Sequence, residues 1–334
     1  MRTPIPVRLT ALSAAAAATA LVLSACGSDG GDGAGDGGES YSIGISQLVQ
    51  HPALDASAEG FQEAFAEAGY TEGETIEFDL QNANGEQSTA VSIAQSFATA
   101  DHDLVLAIAT PAAQAAAQAI MDTPVLFTSV TDPVAAELVD SLEAPGGNLT
   151  GTSDLASIPD QFELLGTLVP EAERVGIVYS SGEVNSEVQV AAAKEAAGEQ
   201  GIEIVEQTIT TANDIGQAVS ALGDVDAIYV PTDNMVVSGI GALVQAAEAS
   251  GTPVIGAEAG TVEGGAAATL GIDYHELGRQ TGEMALRILE EGADPAETPV
   301  ENATEFTYVV NETAAEAQGV EIPAEILEQA EKVG

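Results

Sequence analysis

The sequence predicts an α/β protein built as two doubly wound, parallel-sheet lobes. Three observations carry that expectation. From Tyr41 onward, short β-rich runs alternate with Ala-rich runs of helical period. The break Pro145-Gly146-Gly147-Asn148 divides the alternation into two series of similar architecture. The 334 residues suffice for two domains of ordinary size, each with its own core.

In the first series, Tyr41–Ser46 reads as strand and Ala53–Ala68 as helix, with Leu54, Ala58, Phe61, Phe65 and Ala68 on one face. Strands at Ile76–Leu80, Leu104–Ala109 and Val125–Ser129 alternate with helices at Gln87–Ala100, Pro111–Met121 and Pro133–Leu142. The second series places strands at Arg174–Tyr179, Glu203–Ile209, Ala227–Val230, Pro253–Gly256 and Ala267–Gly271. Its helices fall at Asn185–Gln200, Asp214–Leu222, Val236–Ser250 and Leu277–Glu291, followed by a strand at Glu305–Val310 and a helix at Ala324–Lys332. Strands separated by helices imply parallel sheets covered on both faces.

Apolar residues make up 45% of the chain, enough for packed cores. Aromatic residues are only 4% and tryptophan is absent, so Ala, Val, Ile and Leu must build those cores. Seven Lys and Arg face 53 Asp and Glu, a formal charge of -46. Phosphate backbones and anionic head groups call for cations, so nucleic-acid binding and adhesion to a lipid surface are excluded as expectations. The acidity has two readings: a strongly hydrated, self-repelling surface that favours solubility, or a salty habitat that screens the repulsion.

Residues 1–25 read as an export signal: Arg2 and Arg8, an apolar run over Leu9–Leu23 too short for a usual membrane span, then Ser24 and Ala25 before Cys26. Leu23-Ser24-Ala25-Cys26 resembles a bacterial lipobox, which implies cleavage before Cys26 and a diacylglycerol thioether on it. Cys26 is the single cysteine, so no disulfide forms within the chain. Through residue 40 the Gly- and Asp-rich stretch reads as a flexible tether with a mean reach of about 20 Å.

Several stretches closely resemble the tryptophan/tyrosine-type substrate-binding proteins of ABC importers: Ser46–Ala56 (SQLVQHPALDA), Ile108–Ala119 (IATPAAQAAAQA), Pro124–Pro133 (PVLFTSVTDP), Pro145–Asp154 (PGGNLTGTSD), Val178–Val190 (VYSSGEVNSEVQV), Ile228–Asn234 (IYVPTDN) and Gly271–Leu289 (GIDYHELGRQTGEMALRIL). The resemblance implies a type I periplasmic-binding-protein-like fold with three chain crossings, near Asn148–Asp154, Ile272–Tyr274 and Val300–Thr304. Lobe 1 would comprise 41–153 with 273–300, and lobe 2 154–272 with 301–334. It further implies a binding protein rather than an enzyme, monomeric, without metal or cofactor, held outside the cell membrane by lipid. Such a protein captures a small molecule and hands it to a permease and its ATPase. The same fold could instead serve a surface sensor that signals through a partner.

Physical reasoning points to overlapping residues, because open parallel sheets bind ligands beyond the carboxyl ends of their strands. Thr110 as cap and Pro111 at the first helical position would leave the amides of Ala112 and Ala113 for a ligand carboxylate, though plain helix capping accounts for Thr110 equally. Asp132 before Pro133 repeats the pattern, and Thr128 and Thr131 lie on the same segment. Ser46, Gln47 and His51 follow the first strand, where His51 could donate to a ligand or cap the helix behind Pro52. In the second series Glu183, Asn185, Thr232, Asp233 and Asn234 hold equivalent places, with an N-cap the alternative for Asn185. Asp233 or Asp273 could grip an ammonium group, and Asp273 is preferred because a hinge residue senses closure. Phe127, Tyr179, Tyr229 and Tyr274 are possible aromatic walls, Phe127 more simply core.

Enzyme signatures are missing. There is no G-x-S-x-G elbow and no P-loop. Gly239-Ile240-Gly241 reads as helix packing, His275-Glu276 lacks the second histidine of a zinc motif, and Asp101-His102-Asp103 reads as a solvated turn. The expected cargo is an amino acid, aromatic ones included.

Overall fold

A computed structural model describes residues 40–304 and 306–334. The export signal, Cys26 and all but the last residue of the tether lie outside the described residues. No helix among the described residues is long and apolar enough to cross a membrane.

The first half runs β1 (Tyr41–Gln47), α1 (Pro52–Glu67), β2 (Ile76–Asn82), α2 (Gln87–Phe97), β3 (Leu104–Ile108), α3 (Thr110–Ala119), β4 (Val125–Val130) and β5 (Leu149–Ser153). The second runs α4 (Ile158–Leu168), β6 (Arg174–Ser180), α5 (Val184–Glu199), β7 (Glu203–Ile209), α6 (Ile215–Ala221), β8 (Ala227–Val230), α7 (Asn234–Ser238), α8 (Ile240–Ser250), β9 (Val254–Gly256), α9 (Ala259–Glu263) and β10 (Ala268–Ile272). The chain ends with α10 (Tyr274–Glu291), β11 (Glu301–Asn302), β12 (Phe306–Val310), α11 (Glu312–Ala317), α12 (Ala324–Leu327) and β13 (Glu331–Lys332).

Two sheets result. One has the order β11-β5-β4-β3-β1-β2 and is wholly parallel. The other has the order β13-β12-β10-β9-β8-β6-β7 and is parallel except where β12 runs antiparallel to β10. Central strands such as β3 and β4 are buried along their whole length, as a sheet covered on both faces requires. The backbone passes between the sheets after β5, at Asp273 between β10 and α10, and between Asn302 and Phe306. β11 pairs with β5 and so extends the first sheet, whereas the sequence placed residues from 301 onward in the second lobe.

Local departures have physical causes. Residues 133–142 form turns rather than a helix, because Glu137 takes φ 58° and breaks the helical path. The helix expected over 236–250 is split at Gly239, where a β-carbon would stand 2.5 Å from Ile215 Cδ1. Gly241 meets nothing comparable, so only the first glycine of that pair serves packing. His102 is not a solvated turn residue: it stacks edge-on against Phe97 and its Nδ1 lies 2.9 Å from Ser42 Oγ. The final helix stops at Leu327, and residues 331–332 join the sheet edge beside β12.

α1 and α10 pack with their backbones almost in contact. A β-carbon at Gly60 would collide with the His275 carbonyl oxygen, and one at Gly278 with that of Ser57. At Gly282 it would come within 2.5 Å of Ala64 Cβ and 2.7 Å of the Phe61 carbonyl. His275 Nε2 and Glu63 Oε2 lie 2.9 Å apart across the same seam.

Every Lys and Arg among the described residues is paired with a carboxylate of this chain: Arg174 with Glu203, Lys194 with Glu206, Arg279 with Glu276 and Glu283, Arg287 with Glu301, and Lys332 with Glu312.

Overpacking typically costs about 1–3 kcal/mol, and backbone atoms cannot swing aside as side chains can. Gly278→Ala is therefore expected to destabilise the protein by at least about 1–3 kcal/mol. An unchanged melting temperature would show that the two helices separate without cost.

Candidate functional site

A small cavity lies where the two sheets' carboxyl ends face each other across the crossings. His51, Ala53, Leu54, Ser129 and Thr131 line it from the first lobe, and Asn185, Thr232, Asp233, Asn234, Val237 and Glu258 from the second. Asp154 and Tyr274 enter from the first and second crossings. The lobes are closed on one another: Gln189 Nε2, on α5, donates to Thr131 Oγ1 of the facing lobe at 3.2 Å, and also to Thr232 Oγ1.

The cavity wall holds polar atoms without partners. Asp154 Oδ1, Glu258 Oε1, Asn185 Oδ1 and both ring nitrogens of His51 are buried and make no hydrogen bond. The residues are 4%, 2%, 3% and 8% exposed. Buried polar groups are almost always satisfied, so four around one cavity make it the candidate ligand site. No lysine or arginine lines the cavity.

The two carboxylates are tied down on one side only. Asp154 Oδ2 accepts from Tyr274 Oη at 2.9 Å. Glu258 caps α9, its Oε2 accepting from Gly260 N at 3.1 Å. Burial pushes Asp154 above the usual carboxylate range, against the hydrogen bonds from Tyr274 and Thr131. Burial raises Glu258 to about 7, the Gly260 amide opposing and the Glu263 and Asp154 charges adding to the rise. Each would gain by receiving an ammonium group.

The opposite charge is provided for by α1. His51 precedes the helix, no side chain caps it, and Pro52 occupies its first turn. Ala53 and Leu54, whose amides have no carbonyl within the helix, line the cavity. This end of a 16-residue helix favours an anion. Burial lowers the His51 imidazole to about 4, with Asn234 and Asp55 opposing, so near neutrality the ring is uncharged and offers one N–H and one acceptor.

Of the residues the sequence nominated, His51, Thr131, Asn185, Thr232, Asp233 and Asn234 meet at the cavity. Asp233 has no capacity left for a ligand: Oδ1 accepts from Val236 N, and Oδ2 from Ser180 N and Ser186 Oγ. Glu183 stands behind the wall, accepting from Asn234 Nδ2 at 2.5 Å, Met235 N and Asn185 Nδ2, and so orients both asparagines. Burial, then the Asp233 charge, raises it to about 7. Asn185 is not an N-cap, since α5 begins one residue earlier.

Others lie elsewhere. Asp273 is exposed and caps α10, accepting from His275 N and Glu276 N. The hinge carboxylate at the cavity is Asp154 instead. Asp132 accepts from Val134 N and Ala135 N and closes a turn. Thr110 is the first residue of α3 rather than its cap, and Ala113 N is used by Ala109 O, so the anion site expected there is only partly open. Thr110, Ala112 and Ser46 are buried away from the cavity lining, and Pro111 borders a wider groove along the lobe seam with Leu48, Glu183 and Met235. Gln47 braces its loop through Val49 O and Asp55 Oδ1. Thr128 bonds Thr152 inside the sheet. Phe127 and Tyr229 are core, Tyr179 pairs with Glu206, and only Tyr274 reaches the cavity.

Sequence reasoning missed Glu258 altogether. Its signal was the run Gly256-Ala257-Glu258-Ala259-Gly260 after a buried strand, the same strand-end position used for every other nominee.

Residues 42–334 match the family of ABC transporter substrate binding proteins. A tyrosine-binding protein of Clostridioides difficile is 44% identical over 283 residues, covering 84% of this chain and 82% of that protein. The solved ABC domain of Streptococcus pneumonia in complex with L-Trp is 37% identical, with a TM-score of 0.85 over 89% of this chain and 100% of that one. The ligand-free, open structure of a Clostridium difficile substrate-binding protein with adhesive properties is 46% identical, over 88% and 99% of the two chains, yet its TM-score is only 0.68. This chain superposes better on the L-Trp complex than on the open, ligand-free structure. The chain belongs to the ABC transporter substrate-binding protein family and is not an enzyme.

Proposed function

We propose that this protein is a lipid-anchored receptor of an ABC importer, which captures one amino acid, aromatic ones included, between its lobes and delivers it to a membrane permease. The observation that carries the reading is the set of unpartnered polar groups on His51, Asp154, Asn185 and Glu258, contributed by both lobes and the hinge to one cavity. An ammonium group against Asp154 and Glu258, and a carboxylate at the start of α1 beside His51, would satisfy them together. The tyrosine-binding and L-Trp-bound relatives support an aromatic side chain. The cavity is bounded by Ala53, Leu54, Val237 and the Tyr274 ring, apolar surface suited to such a group. The signal-like start of the chain and Cys26 support the anchor.

Isothermal titration with the proteinogenic amino acids tests the reading. Because the chain has no tryptophan, a bound L-Trp would be the sole indole and its emission would report binding directly. Binding of none of them would overturn the proposal. A charge-assisted hydrogen bond contributes about 1.5–3 kcal/mol, so Glu258→Gln is expected to weaken amino-acid binding roughly 10- to 150-fold. Unchanged affinity would remove Glu258 from the site.

Acid should weaken binding. Glu258 is raised to about 7, so below that pH an arriving ammonium must expel a proton. Affinity should be fullest above pH 7 and fall by up to about tenfold per pH unit below it, with protons released to the buffer. A flat or rising affinity between pH 8 and pH 5.5 would contradict this. For the anchor, Cys26→Ser is expected to move the protein from the membrane fraction to the medium, and retention of the variant in the membrane would exclude lipid on that residue.

A further inference from the structure

The first and second crossings are joined inside the molecule by a side-chain bond, Tyr274 Oη to Asp154 Oδ2 at 2.9 Å. Asp154 is the first residue after β5 and Tyr274 the first of α10. Both are buried and both border the cavity. The two oxygens of Asp154 therefore face different tasks: Oδ2 holds the neighbouring crossing, and Oδ1 is unpartnered at the ligand cavity.

Each end of the bond is rigidly seated. Asp154 N donates to Val130 O, and Ser153 Oγ bonds Thr131 O. Tyr274 opens the helix whose glycines press against α1. On the other side of the first crossing, Gln161 of α4 donates to Ala257 O and Leu270 O and accepts from Tyr229 Oη, tying that helix to the segment that ends in Glu258 and to β10. A rotation of the lobes about these crossings must move Asp154 and Tyr274 relative to one another or carry them together.

We propose that Tyr274 is a positioning residue which, through its hydrogen bond to Asp154, couples occupancy of the ammonium position to lobe closure. With the hydroxyl in place, Asp154 presents Oδ1 to the cavity only in the closed arrangement, and a cation on Oδ1 in turn strengthens the Tyr274 bond by keeping the carboxylate charged. The inference rests on the ammonium reading of the cavity. Charged or titratable groups around Asp154 are Glu258 from the second lobe, Tyr274 from α10, His51 from the start of α1 and, behind Tyr274, Tyr229.

Tyr274→Phe in the full chain tests it, against Glu258→Gln as reference. The expected result is about a tenfold loss of affinity for L-Trp or L-Tyr and a shift of the acid midpoint of binding to higher pH, since Asp154 loses the bond that favours its ionised form. Ligand-induced compaction in small-angle scattering should also require correspondingly more ligand. A merely structural tyrosine would lower the melting temperature without moving the pH profile, and an unmoved profile would overturn the coupling. If Glu258→Gln abolishes binding while Tyr274→Phe does nothing, the cavity stands and the coupling falls. If neither variant has an effect, the ammonium reading itself falls. Should Tyr274→Phe not fold, Asp154→Asn keeps an acceptor for the hydroxyl but no charge. It must then weaken binding, and unchanged binding would overturn the proposal.

Discussion

Asp154 and Glu258 are taken out of water where the two lobes meet, and no cationic side chain comes with them. Removing a carboxylate from water costs several kcal/mol unless a partner compensates. In the closed arrangement that compensation is missing on one oxygen of each group. Opening the lobes would rehydrate both. The same pair, the ammonium site of the proposed reading, thus disfavours closure around an empty cavity, and a ligand shifts the balance only by what it gains in the closed state alone.

Such a balance needs walls that do not yield. α1 and α10 supply them on the first lobe, where Gly60, Gly278 and Gly282 let the backbones meet. His51 sits at the start of one helix and Tyr274 at the start of the other, so one contact fixes both the anion-favouring end and the hinge hydroxyl. On the second lobe, Glu183 and Asp233 do similar work through hydrogen bonds, each carboxylate consumed in orienting loop amides and the asparagines.

Most of the fold could be read from the alternation of apolar strands and Ala-rich helices, because parallel strands buried on both faces declare themselves. What escaped was polar or short. β5, Leu-Thr-Gly-Thr-Ser, looks like a loop, yet it is fully buried because its hydroxyls find partners: Thr152 with Thr128 and Thr281, Thr150 with the Thr298 carbonyl, Ser153 with that of Thr131. α4 does carry a sequence signal, a Ser157 cap followed by Leu and Phe at helical spacing. Strand-end position picked out loops that border the cavity, while composition could not tell a carboxylate that caps from one that is free. Asp233, Asp273 and Asp132 cap or close turns, whereas the oxygens left over belong to Asp154 and Glu258. That difference lies in three-dimensional accounting of donors, which no single sequence position carries.

The pairing of each described lysine and arginine with a carboxylate of its own chain has a consequence for recognition between macromolecules. Among the described residues no lysine or arginine is left to seek an acidic patch, so complementarity at this surface can run in one direction only. A docking partner must bring basic residues to it, and their long-range attraction would speed encounter in dilute electrolyte and fade as ionic strength rises.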